Sequence, residues 1–288
     1  MAQLQVSFRR LACLWALLAA ALGAAPEPPG LRVATAGHSF HVWMAPIVEE
    51  LAKGAGIEGH RTVASSFIGG SRTAQHWDLP DERNKVKSVL SEGGADVLTL
   101  SPTLVPDEAI LKFAQLGLAK NPAIKVTVQQ SWVPYDDLAF WVARKKVASV
   151  DRDSKTAEQL RAAHADYFRL VDAEVRNVNA KLGREVVRLV PTGSAVLALR
   201  ERVIKGEAPG VAKQSQLFSD PLGHPTEPIK ALNSYCHFAV IYGRSPAGLP
   251  VPKGLQRMSE GPKLNSLLQQ IAWEAVSAHP LAGVQARK

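Results

Sequence analysis

The feature that most constrains this chain is the alternation of short apolar runs with longer stretches of helical spacing. Residues 31–36, 60–67, 96–100, 124–129 and 186–190 read as strands. Between and after them, 44–53, 81–92, 107–120, 154–182, 195–205, 230–242 and 263–278 carry helical patterns, several closed by glycine at Gly93, Gly94 and Gly183. Short, nearly continuous apolar strands separated by helices need both sheet faces covered, and the crossovers make them parallel. The expected architecture is a three-layer α/β/α sandwich, flavodoxin-like, with about five parallel strands. Ligands in such sheets bind at the carboxyl ends of the strands. The loops to inspect are therefore 37–41, 67–77, 101–106 and 130–137.

The N-terminus sets the expected compartment. Arg9 and Arg10 precede an unbroken apolar run over 11–22, followed by Gly23, Ala24, Ala25 and Pro26. That is the pattern of a secretory signal over 1–25, with an apolar core too short to span a bilayer. The remainder, 26–288, is expected to form one exported, soluble domain with a helical insertion over 151–183. With Cys13 removed, Cys236 has no partner for an internal disulfide and reads as a small buried hydrophobe. The formal charge is +8, but its Lys and Arg are scattered among acids. The Arg144-Lys145-Lys146 run is too short for the basic, aromatic-laced face of a nucleic-acid binder. The sequence holds no internal repeat and does not fix an oligomeric state.

The first strand-end loop holds Gly37-His38-Ser39-Phe40-His41. A serine just past a strand and before a helix is exposed at the sheet edge, where the helix dipole favours developing negative charge. The same serine could equally cap that helix. Near the other end lies Asp220-Pro221-Leu222-Gly223-His224. A hydroxyl is a weak nucleophile until a base accepts its proton, and the base needs a carboxylate to fix its tautomer. Ser39, His224 and Asp220 offer those roles, although Asp220 and His224 alone also fit a turn residue and an exposed histidine. A metal is not expected. His38-x-x-His41, even with His76 nearby, has no adjacent carboxylate and lacks the i,i+4 spacing of helical zinc sites. Gly69-Gly70 is not followed by the lysine of a phosphate loop. Trp43, Trp77, Trp132 and Tyr135 fall in or near the strand-end loops, where aromatic faces suit sugar rings.

These residues carry a family resemblance. Gly37-His38-Ser39 resembles the first block of the SGNH (GDSL-like) hydrolases, and Gly69-Gly70-Ser71 with His76-Trp77 resembles the second. Asp220 and His224, followed by a helix and the residues at 242–246, resemble the last block. The resemblance spans 31–246 and implies an exported serine ester hydrolase without a cofactor, acting on acyl groups of carbohydrate. It implies Ser39 as nucleophile, His224 as base and Asp220 as its orienting carboxylate. It also implies an oxyanion hole from the amides of Ser39 and Gly70, and where the family adds an asparagine, the hydroxyl of Ser101 or of Thr103 substitutes as a third donor or the amides act alone. His38, His41, His76, Trp77 and Trp132 are expected to line the substrate cleft.

Two departures matter. The family's Asp-x-x-His is here Asp-x-x-x-His, and the asparagine of its third block is replaced by Ser101-Pro102-Thr103. One lost oxyanion donor costs roughly 10²–10³ in turnover. The alternative that this leaves open is a non-catalytic glycan-binding or envelope-interaction protein on the same scaffold.

Overall fold

A computed structural model describes residues 28–140 and 149–285. The expected signal sequence and the Arg144-Lys145-Lys146 run lie outside the described residues.

Five strands, β1 (Arg32–Gly37), β2 (Arg61–Phe67), β3 (Val97–Leu100), β4 (Lys125–Gln129) and β5 (Val187–Val190), form one parallel sheet. Their order is β2-β1-β3-β4-β5. The helices are α1 (Met44–Gly54), α2 (Thr73–Trp77), α3 (Lys85–Ser91), α4 (Ala109–Lys120), α5 (Ala157–Leu182), α6 (Thr192–Ile204), α7 (Glu227–Tyr242), α8 (Lys253–Gln256) and α9 (Gly261–Ala278). One face of the sheet is covered by α3, α4 and α5 through Val86, Leu90, Phe113, Tyr167 and Val171. The other is covered by α1, α6, α7 and α9 through Leu51, Leu199, Leu232, Phe238 and Leu268. This is the three-layer α/β/α fold expected from the sequence. Among the described residues no helix is long and apolar enough to cross a membrane.

The two sheet faces differ in chemistry, and the difference prepares the site. Side chains alternate along a strand. Ala34 and Ala36, Leu98 and Leu100, and Val126 and Val128 all enter the core under α3, α4 and α5. The intervening residues are Thr35, Thr99 and Thr127, which lie in register across β1, β3 and β4 and are all buried. A row of hydroxyls thus runs across the middle of the sheet on the face opposite to that apolar core.

Several element boundaries differ from the sequence reading for local reasons. The stretch 81–92 is not one helix. Asn84 accepts the amide of Lys87 and caps α3, leaving a single turn over Asp81–Arg83 before it. The long helix begins at Ala157 because Thr156 and Gln159 form a reciprocal capping box, and it stops at Gly183 with φ +67°. Nor is this helix an insertion. It is the crossover joining β4 to β5, and its Val171, Val175 and Val178 share a core with the strand residues.

Candidate active site

The chain leaves β1 at Gly37 and turns through 38–43 before α1 begins. Gly37 is required by close approach: a Cβ there would sit 2.7 Å from Cδ2 of His41. The turn is held from three sides. The amide of Phe40 donates to Nδ1 of His38 at 3.3 Å, and the Trp43 indole donates to the carbonyl of Ser39 at 2.6 Å. Nε2 of Gln129 donates to the carbonyl of Phe40 at 3.0 Å. Ser39 is half-buried, and its Oγ lies 2.9 Å from Nε2 of His224. Its hydroxyl therefore faces the histidine instead of capping α1, whose N-cap position is Trp43, without a side-chain cap bond.

His224 sits on the loop between Leu217 and α7. Its Nδ1 lies 2.5 Å from Oδ2 of Asp220. The other carboxylate oxygen accepts the backbone amides of Gly223 at 2.9 Å and His224 at 3.1 Å. Burial pushes the Asp220 carboxyl up, but the hydrogen bonds from the His224 ring and from these amides outweigh it and hold the group below the ordinary carboxylate range. With Asp220 ionised, Nδ1 of His224 carries the proton and Nε2 is left to accept one from Ser39. Ser39, His224 and Asp220, which are far apart in sequence, are brought into one hydrogen-bonded line. The extra residue of Asp-x-x-x-His is absorbed at Gly223, whose φ of +106° is open to glycine and strained for other residues.

The residues expected to line a cleft are placed differently. His38, His41, His76 and Trp132 are all buried, each at 2% exposure or less. Trp132 stacks on Phe40 with ring centroids 4.7 Å apart, and its indole donates to the carbonyl of Gly223 at 2.9 Å. It supports the loop of His224 and presents no face to a sugar. His76 lies between two hydroxyls, 2.7 Å from Ser66 and 2.7 Å from Ser71, and pins the loop that contains Gly70. Trp77 packs edge-on against Phe113 at 4.9 Å, with the Lys87 ammonium over its ring. Gly70 adopts φ +61° in the turn after β2. Ser101 is buried beneath the site. Because His38 Nδ1 accepts from Phe40, its Nε2–H donates to Ser101 Oγ at 3.2 Å, and Ser131 Oγ lies 3.5 Å away. Ser101 is 2% exposed, with its Oγ facing His38 and Ser131.

Beneath the turn that carries Ser39 lies a buried polar network that the sequence reading missed. Oε1 of Gln129 accepts from Nδ1 of His41 at 2.9 Å, Nδ2 of Asn233 at 3.0 Å and Nε2 of His237 at 3.2 Å. Nε2 of His41 lies 3.1 Å from the hydroxyls of both Thr35 and Thr99. Desolvation keeps these imidazoles neutral. It pulls His38 down to about 3, helped by the neighbouring histidines, and brings His41 and His76 each to about 4. The available signal was polarity out of place: Asn233 and His237 interrupt the apolar face of α7, and Gln129 ends an apolar strand. Among the described residues no group of three or more His, Cys, Asp or Glu is placed to hold a metal ion.

Comparison with known proteins adds little. No protein-family model matches the chain. No curated protein matches it either. One solved structure, titled "a putative SGNH hydrolase from Slackia heliotrinireducens", superposes on 73% of this chain and 97% of its own, with 17% identity and a TM-score of 0.43.

Proposed function

We propose that the protein is a serine ester hydrolase of the SGNH type. The observation that carries this reading is the unbroken line from Asp220 through His224 to Ser39, at 2.5 and 2.9 Å. Ser39 Oγ attacks the ester carbonyl as Nε2 of His224 takes its proton. The tetrahedral oxyanion falls to the amide of Ser39, as the family resemblance implies. Collapse breaks the bond to the alcohol, which leaves with the proton from His224. A water molecule then gives its proton to His224 and attacks the acyl-enzyme. The products are a carboxylic acid and free Ser39. Asp220 stays ionised throughout and stabilises the imidazolium.

The run behind Arg9 and Arg10 supports export of the protein. The substrate class is a carboxylic ester. An acylated carbohydrate fits export and the family habit, but it loses Trp132 as a stacking platform. The second reading, glycan or envelope binding without turnover, is favoured by one observation. Ser101, which replaces the family's asparagine in the sequence, is buried and faces His38 and Ser131.

A fluorophosphonate separates the two readings, because it reacts only with an activated serine. The expected result is a covalent adduct on Ser39, found by peptide mass spectrometry and absent from His224→Ala. An unlabelled Ser39 in the folded protein contradicts the esterase reading.

A further inference from the structure

The loop that carries Asp220 and His224 is exposed on its outer side, yet it has to hold His224 to within a fraction of an ångström. Its support comes from a segment distant in sequence. Residues 151–155, just ahead of α5, lie along the stretch 214–221. Arg152 is 5% exposed; among the described residues no carboxylate lies within salt-bridge distance of it, Asp136, Asp220 and Asp153 acting only at longer range, and its guanidinium donates to the carbonyls of Asp220 at 3.3 Å and Pro221 at 2.8 Å. Its guanidinium carbon lies 4.3 Å from the centre of the Phe218 ring. Asp153 accepts the amide and hydroxyl of Ser215 at 2.8 and 2.7 Å, and the Lys155 carbonyl accepts from Gln214 at 2.9 Å.

A buried guanidinium normally takes a carboxylate, since desolvating a charge without a counter-ion is costly. Here the head is spent on two backbone carbonyls, one of them that of Asp220 itself. The same guanidinium and the Trp132 indole close over Gly223: a Cβ at Gly223 would lie 3.2 Å from Nη2 of Arg152 and 3.4 Å from Nε1 of Trp132. The residue that lengthens the Asp-to-His spacing is thus the one that these two side chains enclose.

We infer that Arg152 is a positioning residue for the acid–base pair, fixing the lengthened Asp220–His224 loop so that His224 reaches Ser39, with Trp132 as its second brace. The inference rests on the esterase reading for its effect on turnover, but not for its effect on the Asp220–His224 hydrogen bond. Losing the brace lets His224 drift. A displacement of about an ångström at a reacting group costs on the order of 10²-fold in rate.

The test compares the parent protein with Arg152→Met, Arg152→Lys and Trp132→Phe, the last keeping the ring stack on Phe40 while removing the donor to Gly223. Ester hydrolysis is measured for kcat and KM separately. The downfield proton NMR signal of the His224 Nδ1–H is followed in parallel. The expected result is a fall in kcat approaching 10²-fold in Arg152→Met with KM little changed. The downfield signal should be lost or broadened while the rest of the spectrum keeps its dispersion. Arg152→Lys should recover part of both, and Trp132→Phe should show a smaller loss of the same kind. An unchanged kcat and an unchanged downfield signal in Arg152→Met overturn the inference. If that variant does not fold, unaltered Arg152→Lys and Trp132→Phe overturn it. A parent protein without turnover defeats the esterase reading alone, and the downfield signal then still decides the role of Arg152.

Discussion

Asp220 grips His224 twice: Oδ2 lies 2.5 Å from the ring Nδ1, and Oδ1 accepts the backbone amide of the same residue at 3.1 Å. A carboxylate bound to both ring and backbone fixes the tautomer and the rotation of the imidazole together. Asp220→Asn keeps the shape but can donate an N–H toward Nδ1, favouring the tautomer with its proton on Nε2. In the serine-triad template that change costs roughly 10⁴ in kcat. We expect a loss of the same order here, at nearly unchanged KM, by steady-state kinetics on a chromogenic ester. An Asn variant as fast as the parent removes Asp220 from the account.

The buried histidines give stability a pH dependence. Unfolded imidazoles bind protons near 6.5. In the fold His38 does so only at about 3, and His41 and His76 only at about 4. Between those limits the unfolded chain holds more protons, so stability rises with pH and falls as the solution is acidified. Urea midpoints should be level above pH 7, drop progressively below about 6.5, and flatten once the folded rings also titrate. Midpoints that stay constant between pH 7 and 4 contradict the neutral, buried assignment.

Asp136 and Arg200 form an enclosed ion pair at 2.6 and 2.9 Å, and Arg200 also reaches Gln214 at 2.8 Å. Burial pushes the Asp136 carboxyl up, but its bonds to Arg200 outweigh that and hold it low. Removing one partner strands a buried charge, at about 3–5 kcal/mol. Asp136→Leu should therefore destabilise far more than the double variant Asp136→Leu/Arg200→Met, which removes both charges. Chemical denaturation of the two proteins checks the order, and equal losses contradict it.

The parallel sheet was legible because strands buried on both faces leave apolar runs that helices must separate; the strand order was not read from the sequence. The line from Ser39 to His224 was legible only through short blocks in a particular order. Burial at individual polar positions was not legible. His38, His41, His76 and Trp132 lie in segments just past strand ends whose residues commonly meet solvent, yet all four are buried, His41 over Thr35 and Thr99 and His76 between Ser66 and Ser71. Arg152 was hidden for a related reason. In Asp151-Arg152-Asp153 it reads as one charge in an exposed run, and only the distant carbonyls of Asp220 and Pro221 give it a reason to be buried.

We propose above all that Ser39 is a nucleophile activated by His224. The most direct test is hydrolysis of p-nitrophenyl acetate by the purified protein beside Ser39→Ala and His224→Ala, with folding checked by circular dichroism. We expect turnover by the parent and its loss in both variants, each folded like the parent. Equal turnover in all three proteins contradicts it.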